Sequence, residues 1–407
     1  NGFLSPPPGF LLMLAICSGY ALVLSLRYFA DRVVAPRLSG FTRTLVFPLA
    51  STVIDWLMIF GPFLTYGSPA YAQYGNLPLM QMVSLTGMWG LTFLVSWLGP
   101  VVNALWEQGF DLRRAWRVIA PFGVTLLAVL LYGSIRLAFF PPTGQTVLAA
   151  GITPDRDIWR YQPVEEIARG SETRREELRA ETGPILDDLF LRTRQLAQAG
   201  VKVITWSETA VFVLQEDDAA LMEQARRVAQ EEGIYLQVGV MTVLRAEQHP
   251  YGQNRAVLFS PDGNQVWDYH KALPVVIGDA AEIAPGPGIV PAVDTEFGRL
   301  AAYICQDADL PGYARQAGQA RAGILLAPYD DWVPIHFDHA RMAVFRAVEN
   351  GFSLIRATGK GYSLAADYQG RPLAFADYYG APKSAAVAAI PMQCVTTLYS
   401  IIGDVIA

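Results

Sequence analysis

Charge is scarce in this 407-residue chain: Asp, Glu, Lys and Arg make up 17% of it against 52% apolar residues, and the net charge is −6. No basic stripe with interleaved aromatics is present, which argues against a nucleic-acid surface. Cysteine is nearly absent. The three present, Cys17, Cys305 and Cys394, form no CxxC pair and no even-numbered framework, so neither a zinc site nor a disulfide scaffold is expected. There is no GxSxG elbow, no P-loop, no GxGxxG after a strand, and no internal repeat. Nor does a basic stretch lead into a short apolar core and a small-residue cleavage site, so no signal peptide is read. His336 and His339 stand i,i+3 on an expected helix, a spacing able to bind metal. No third ligand stands at a suitable position, and neither metal nor cofactor is expected.

The apolar residues that replace charge are concentrated before about residue 140. Four runs are long enough to cross a bilayer, which takes ~20 mostly apolar residues: Phe10–Ala30, Thr44–Tyr66, Leu79–Leu105 and Val118–Phe140. A soluble bundle built from all four would have hardly any polar outer face. Trp56, Trp89, Trp97, Trp106 and Trp116 lie in or near these runs, where tryptophan anchors helices at the interface. The first loop holds Arg32, Arg37 and Arg43, the second (Gly67–Pro78) has no charge, and the third holds Arg113, Arg114 and Arg117. The positive-inside rule puts the first and third loops in the cytoplasm, so everything after about Gln145 is expected outside. Asp55 interrupts the second run at a cost of ~2.5–3.5 kcal/mol if central. A place near the interface, pairing within the bundle, and contact with a lipid headgroup or substrate each account for it.

From Gln145 the pattern changes. Short apolar runs (Thr146–Ile152, Val201–Thr205, Tyr235–Thr242, Leu300–Cys305, Ile324–Ala327, Ser353–Ala357) alternate with amphipathic helices at Glu172–Gln198, Asp217–Glu232, Leu310–Arg321 and His336–Asn350. Asn254–Ser260 and Gln265–His270 flank the turn Pro261-Asp262-Gly263 as a hairpin, and Tyr362–Asp367 and Pro372–Asp377 flank another. This alternation specifies a layered α/β domain.

Three of its apolar segments end on reactive side chains. Val201–Trp206 runs into Ser207-Glu208, Val266–Tyr269 into His270-Lys271, and Leu300–Ile304 into Cys305-Gln306-Asp307. Strand ends in α/β sheets are where a fixed backbone projects side chains into a crevice. A cysteine nucleophile needs its thiolate, and a carboxylate such as Glu208 can accept the thiol proton and return it to a leaving group. Lys271 can hold a developing oxyanion, helped by the backbone N–H of Gln306. Each segment alone is bland, since a lone cysteine after a strand is usually a small buried hydrophobe. The ordered combination is far more specific. Ala210–Leu214, Pro274–Ile277 and Tyr329–Phe337 read as loops beside this centre. Their Phe212, Val275, Val276, Ile277, Trp332 and Phe337 are either ordinary packing or a lid that dips towards the bilayer and accepts an acyl chain.

These segments resemble the carbon–nitrogen hydrolase (nitrilase) superfamily, and within it the bacterial apolipoprotein N-acyltransferases. Thr205-Trp206-Ser207-Glu208 is similar to the segment around the family's glutamate, with Ser207 where proline is usual. Tyr269-His270-Lys271 is similar to its lysine motif. Ile304-Cys305-Gln306-Asp307 is similar to its nucleophile segment, with Asp307 where glutamate is common. Asp279 stands where the family tends to place a second glutamate, and Glu282 follows it. Ala340-Arg341-Met342, Arg346-Ala347-Val348-Glu349 and Arg356-Ala357-Thr358-Gly359 match later elements, and Leu77–Val95 resembles a membrane stretch ending in Gly-Leu-Thr-Phe.

The resemblance implies a helical transmembrane bundle joined to a nitrilase-like αββα sandwich. The expected division is a membrane domain over 1–143, an extracytoplasmic catalytic domain over 144–395, and the start of a further segment over 396–407. With four expected helices where relatives usually have about seven before the domain and one after, truncation at both ends is expected. The implied activity is acyl transfer through a Cys305 thioester, from a membrane phospholipid to the N-terminal cysteine amine of a diacylated lipoprotein. Glu208 is the expected base and Lys271 the oxyanion holder, with Gln306, Asp307, Asp279 and Glu282 as supporting groups. Phe212, Val276 and Trp332 are the expected lid or acyl groove. The expected setting is the bacterial inner membrane, multi-pass and monomeric, with the catalytic domain on the periplasmic face. A membrane-anchored amidase using water is the alternative enzyme, and a catalytically dead scaffold the alternative class.

Overall fold

A helix that is apolar on all sides needs apolar surroundings on all sides. The computed structural model describes residues 8–62, 64–155, 164–245, 247–275, 281–381 and 383–406. It separates into two units, Asn1–Ile135 with Asp404–Ala407, and Arg136–Gly403. The first unit is helical. Helix α1 (Pro8–Val34) leaves Phe10, Leu22, Tyr28 and Phe29 largely exposed. Three helices among the described residues are long and apolar enough to cross a membrane: Phe10–Arg37, Val83–Glu107 and Leu112–Phe139.

The second expected span is not one helix. Helix α2 (Val46–Met58) has 13 residues, too few at 1.5 Å each, and Gly61-Pro62 stands where the chain leaves it. Asp55 is buried and accepts from Ser68 Oγ at 2.8 Å and Thr92 Oγ1 at 3.4 Å. The irregular chain after α2 therefore supplies the carboxylate with a partner. The third span begins as the short helix α3 (Leu77–Met80), then α4 (Val83–Glu107) with a break at Gly87, where φ is +62°. Helix α5 (Leu112–Phe139) follows.

The second unit opens with β1 (Thr146–Ile152), α6 (Val164–Ala168), α7 (Glu172–Gln198), β2 (Val203–Trp206), β3 (Val211–Leu214) and α8 (Asp218–Glu232). Next come β4 (Tyr235–Val243), β5 (Gly252–Phe259), β6 (Gln265–His270), β7 (Ala292–Thr295) and β8 (Gly298–Ala302). The series closes with α9 (Pro311–Gln319), β9 (Ile324–Asp330), α10 (His336–Asn350), β10 (Ser353–Gly359), β11 (Tyr362–Ala366), β12 (Pro372–Asp377), β13 (Ala386–Pro391) and α11 (Leu398–Ile402).

These strands make two sheets. One has the order β13-β1-β2-β4-β5-β6 with β3 also on β4; the other runs β12-β11-β10-β9-β8-β7. The central pairs β1–β2, β2–β4, β8–β9 and β9–β10 are parallel, and the flanks are antiparallel. Their strands are buried on both faces, which is why they read as continuous apolar runs rather than alternating ones. The sheets face each other through β1, β2, β9 and β10. Helices α7 and α8 cover the first sheet with Leu189, Phe190, Leu221 and Val228 against Ile204, Trp206 and Leu236. Helix α10 covers β10 and β11 of the second, with α9 beside it. The result is an αββα sandwich.

Ala210–Leu214 is not the loop that the sequence implies. Val211–Leu214 is strand β3, paired in parallel with β4, and Phe212 is 1% exposed in a core with Ile167, Leu178 and Met241. Its short β-branched run takes the free hydrogen bonds beyond the end of β2 on β4.

Leu189 is fully buried between α7 and the first sheet. Leu189→Ala is expected to destabilise this unit by about 2–5 kcal/mol, read as a lower melting temperature of the full chain in detergent.

Candidate active site

The acid, the amine and the thiol come together where the two sheets meet. Glu208 leaves the first sheet just after β2, and its carboxylate is 6% exposed. Oε1 accepts from Lys271 Nζ at 2.7 Å and from Asn254 Nδ2 at 2.7 Å, while Oε2 accepts from the backbone N–H of Asp330 at 2.9 Å. Lys271, 1% exposed, follows β6; its backbone N–H donates to Asn254 O and its carbonyl accepts from Gly286 N. Cys305 follows β8 and opens a 3-10 turn with φ +47°, a left-handed conformation that costs a non-glycine residue about 1–3 kcal/mol unless its surroundings impose it. Thr209, next to Glu208, and Lys360, ion-paired with Asp330, are also left-handed at +45° and +53°. Three of the six left-handed non-glycine residues among those described thus lie around one centre.

Two glycines permit this approach. A Cβ at Gly239 would stand 1.9 Å from Ser207 O, and one at Gly286 would stand 2.1 Å from His270 O. Neither β4 nor the segment of Gly286 could then lie so close to the turns that carry Glu208 and Lys271.

The Cys305 sulfur faces the carbonyl of Asp330 at 4.0 Å. Burial pushes its thiol well above the usual range, the Glu208 charge adds to that, and Lys271 opposes it. At neutral pH the resting group is therefore a thiol beside a carboxylate rather than a free thiolate. That arrangement suits proton transfer at the moment of attack.

Asp307 does not contribute a donor to an oxyanion. It is fully buried and accepts from Tyr269 Oη at 2.7 Å, Leu273 N at 2.8 Å, and Ala272 N and Ile304 N at 3.1 Å each. Burial raises its carboxyl to about 6 against these hydrogen bonds and the charge of Lys271. Its effect is to staple the loop after Lys271 onto the turn of Cys305. Gln306 sits in the first step of that turn, with its Oε1 buried. Glu282 accepts from the backbone N–H of Glu165 at 3.1 Å and so caps α6. Asp279 and Val276 lie outside the described residues. Trp332, 46% exposed, stands two residues beyond Asp330, with Val333 and Phe337 exposed nearby.

Four neighbours were not picked out from the sequence: Asn254 and Asp330 bind the Glu208 carboxylate, and Asp309 and Asp331 form a buried cluster below the sulfur with His339, which the sequence marks only by its spacing from His336. The one available signal was polarity at the ends of apolar strands: Asn254 near the start of one, and Asp330-Asp331 at the end of another. One ligand atom each of Cys305, Asp331 and His339 lie within 4.8 Å of one another, a geometry that could hold a metal. Both ring nitrogens of His339 already face carboxylates, at 2.8 and 3.0 Å, which fits ion pairing better. His336 instead packs on Tyr362 and Tyr379.

The carbon–nitrogen hydrolase profile matches residues 173–397, more than half of the sequence. The chain belongs to the carbon–nitrogen hydrolase family. A second profile, the apolipoprotein N-acyltransferase N-terminal domain, matches residues 4–101. Apolipoprotein N-acyltransferase of Bradyrhizobium diazoefficiens is 26% identical over 89% of this chain and 71% of its own length. The protein of that name from Geobacter metallireducens is 28% identical over 76% of this chain and 61% of its own length. An amidase from Nesterenkonia sp. AN1, solved with butyramide, superposes with a TM-score of 0.50 at 18% identity, over 61% of this chain and 92% of the amidase, and so shares the fold. With three apolar helices before its sandwich, this carbon–nitrogen hydrolase is a membrane protein.

Burial is the main reason the thiol stands high; replacing Glu208 by Gln leaves that but removes a charge that adds to it, and keeps the ammonium that opposes it. The Cys305 thiol of Glu208→Gln should therefore ionise at lower pH. More thiolate at a given pH means faster alkylation. The rate of reaction with iodoacetamide at pH 7, followed by mass spectrometry, should exceed that of the wild type by about 10-fold or more.

Proposed function

We propose that this protein is an N-acyltransferase that moves a fatty acyl chain from a membrane phospholipid to the N-terminal cysteine amine of a diacylated lipoprotein. The observation that carries the reading is the buried Glu208–Lys271 pair beside the Cys305 thiol, in a chain that also holds membrane-crossing helices. The curated relatives bearing the name apolipoprotein N-acyltransferase support it.

In this reading Glu208 takes the thiol proton as the sulfur attacks the ester carbonyl. Lys271 and the N–H of Gln306 hold the oxyanion. Collapse breaks the C–O bond, Glu208 returns the proton to the departing lysophospholipid oxygen, and a thioester remains on Cys305. The lipoprotein amine then attacks the thioester carbonyl. Glu208 removes a proton from that nitrogen, the C–S bond breaks to give the amide, and the sulfur is reprotonated. Asp307 keeps Lys271 and Cys305 in register. Trp332, Val333 and Phe337 form the apolar rim that receives the acyl chain.

The catalytic domain, taken as 144–395, stands on the periplasmic face of the inner membrane. Helices α1, α4 and α5 cross the bilayer. The irregular chain after α2, with Thr65, Ser68, Ala70 and Tyr71 buried, completes a further crossing, since non-helical backbone is tolerated at depth where protein satisfies it. The arginine-rich ends of the first and third loops then face the cytoplasm.

Incubating the purified full chain with phospholipid should give an acyl adduct on Cys305 by intact mass spectrometry, absent in Cys305→Ala. Lys271→Met should slow adduct formation by about 10²–10³-fold. A diacylated peptide should discharge the adduct as an amide. Discharge only as free fatty acid would make the protein a hydrolase, and no adduct on an active preparation would defeat the mechanism.

A further inference from the structure

Four ionisable side chains lie buried beneath the nucleophile, none of them used in the chemistry above. Asp309 closes the 3-10 turn that Cys305 opens. Asp331 follows Asp330, whose N–H binds Glu208 and whose carbonyl faces the sulfur. His339 comes from the first turns of α10 and Arg356 from β10. Each is at most 2% exposed.

His339 Nδ1 lies 2.8 Å from Asp331 Oδ1, and Nε2 lies 3.0 Å from Asp309 Oδ1. A neutral imidazole has one N–H and one bare lone pair, so it could donate to only one of these carboxylates and would turn its lone pair on the other. Both contacts are favourable only for the imidazolium. Arg356 donates to the second oxygen of Asp331 at 2.6 Å and stacks over Tyr329. Two anions and two cations then sum to zero under the sulfur. Further ionisable neighbours among the described residues are Cys305 itself, Tyr329, whose ring stands edge-on to His339 at 4.7 Å, Tyr303 against Tyr329, and the Asp330–Lys360 pair beside Asp331. On α10 itself, Arg346 is paired with Glu349 and donates to Ala308 O at 2.9 Å.

We propose that His339 is a positioning residue: donating from both ring nitrogens to Asp309 and Asp331, it ties the turn of Cys305 to the strand end that anchors Glu208. The two segments come from different strands, and the imidazolium joins them through one rigid ring. Burial works against its charge, but Asp309 and Asp331 outweigh that and push the imidazole up to about 9. The cross-link is complete below that pH and is lost as pH rises through it.

The inference rests on the acyl-transfer reading for its kinetic test, and alkylation of the thiol supplies a readout that does not. Both use the full chain in detergent with His339→Gln and Asp309→Asn. In His339→Gln, kcat for acylation should fall by about 10–100-fold, the scale of a misplacement near 1 Å, with KM for the phospholipid unchanged. The loss of wild-type acylation above pH 9 should disappear in His339→Gln, which has no titrating ring. It should move to lower pH in Asp309→Asn, which retains one of the two carboxylates. At pH 7, where the imidazolium is complete, iodoacetamide should alkylate Cys305 more slowly in His339→Gln, which loses the cation, and faster in Asp309→Asn, which loses an anion. Rates that coincide with the wild type, or change together, would overturn the proposal; so would an unchanged kcat. If wild-type protein forms no acyl adduct, the transferase reading fails, and the opposed alkylation rates at pH 7 still decide the role of His339. Should His339→Gln not accumulate, the acylation profile of Asp309→Asn decides it: a loss at high pH that does not move to lower pH overturns the proposal.

Discussion

A buried carboxylate that collects an ammonium, a side-chain amide and a backbone N–H from three different strands cannot shift without disturbing all of them. Glu208 occupies that position. Lys271 reaches it from the end of β6, Asn254 from β5, and the N–H of Asp330 from the end of β9 in the opposite sheet. Because the last bond crosses the sandwich, the carboxylate fixes the spacing of the two sheets at their C-terminal ends. An isolated charge there would be prohibitive, and its full set of partners is what makes the burial tolerable.

Around that contact the molecule arranges strain and support in pairs. Cys305 and Thr209 take left-handed conformations, one at the thiol and one beside the carboxylate. Asp307 receives four hydrogen bonds that fasten the Cys305 turn to the loop after Lys271. Gly239 and Gly286 remove the side chains that would keep the backbones apart. A centre of this kind is preorganised, since its groups need no rearrangement to meet a developing charge. The cost is a thiol whose ionisation is suppressed, and the neighbouring carboxylate compensates by serving as its base in the proposed mechanism.

The helical unit follows a different logic. Its long helices expose apolar side chains, while its polar groups turn inward: Asp55 meets Ser68 and Thr92, and Trp97 donates to Thr44 Oγ1 at 2.8 Å. Satisfying polar groups internally is the rule where water is excluded.

Much of this was legible in the sequence. Glu172–Gln198, Gln265–His270, His336–Asn350 and Pro372–Asp377 were bounded correctly, because periodicity, caps and turn residues act locally. The three reactive residues could be named because each ends an apolar run. Two elements escaped. Thr44–Tyr66 is apolar enough for a span, yet α2 stops at Met58, where a distant demand for partners to Asp55 competes with helix propagation. Val211–Leu214 is too short to declare itself and became a strand only because β4 offered an open edge. The same holds for the network of Asp309, Asp331, His339 and Arg356, whose members are scattered over 48 positions between Asp309 and Arg356 counted inclusively. Composition and local pattern determined the membrane helices, the layered α/β class and the identity of the reactive groups, since hydrophobic periodicity and strand ends are written along the chain. Which partners meet Glu208, how Cys305 is turned, and what lies beneath the sulfur were decided by tertiary structure alone, because hydrogen bonds between sheets depend on register and spacing that no local stretch encodes.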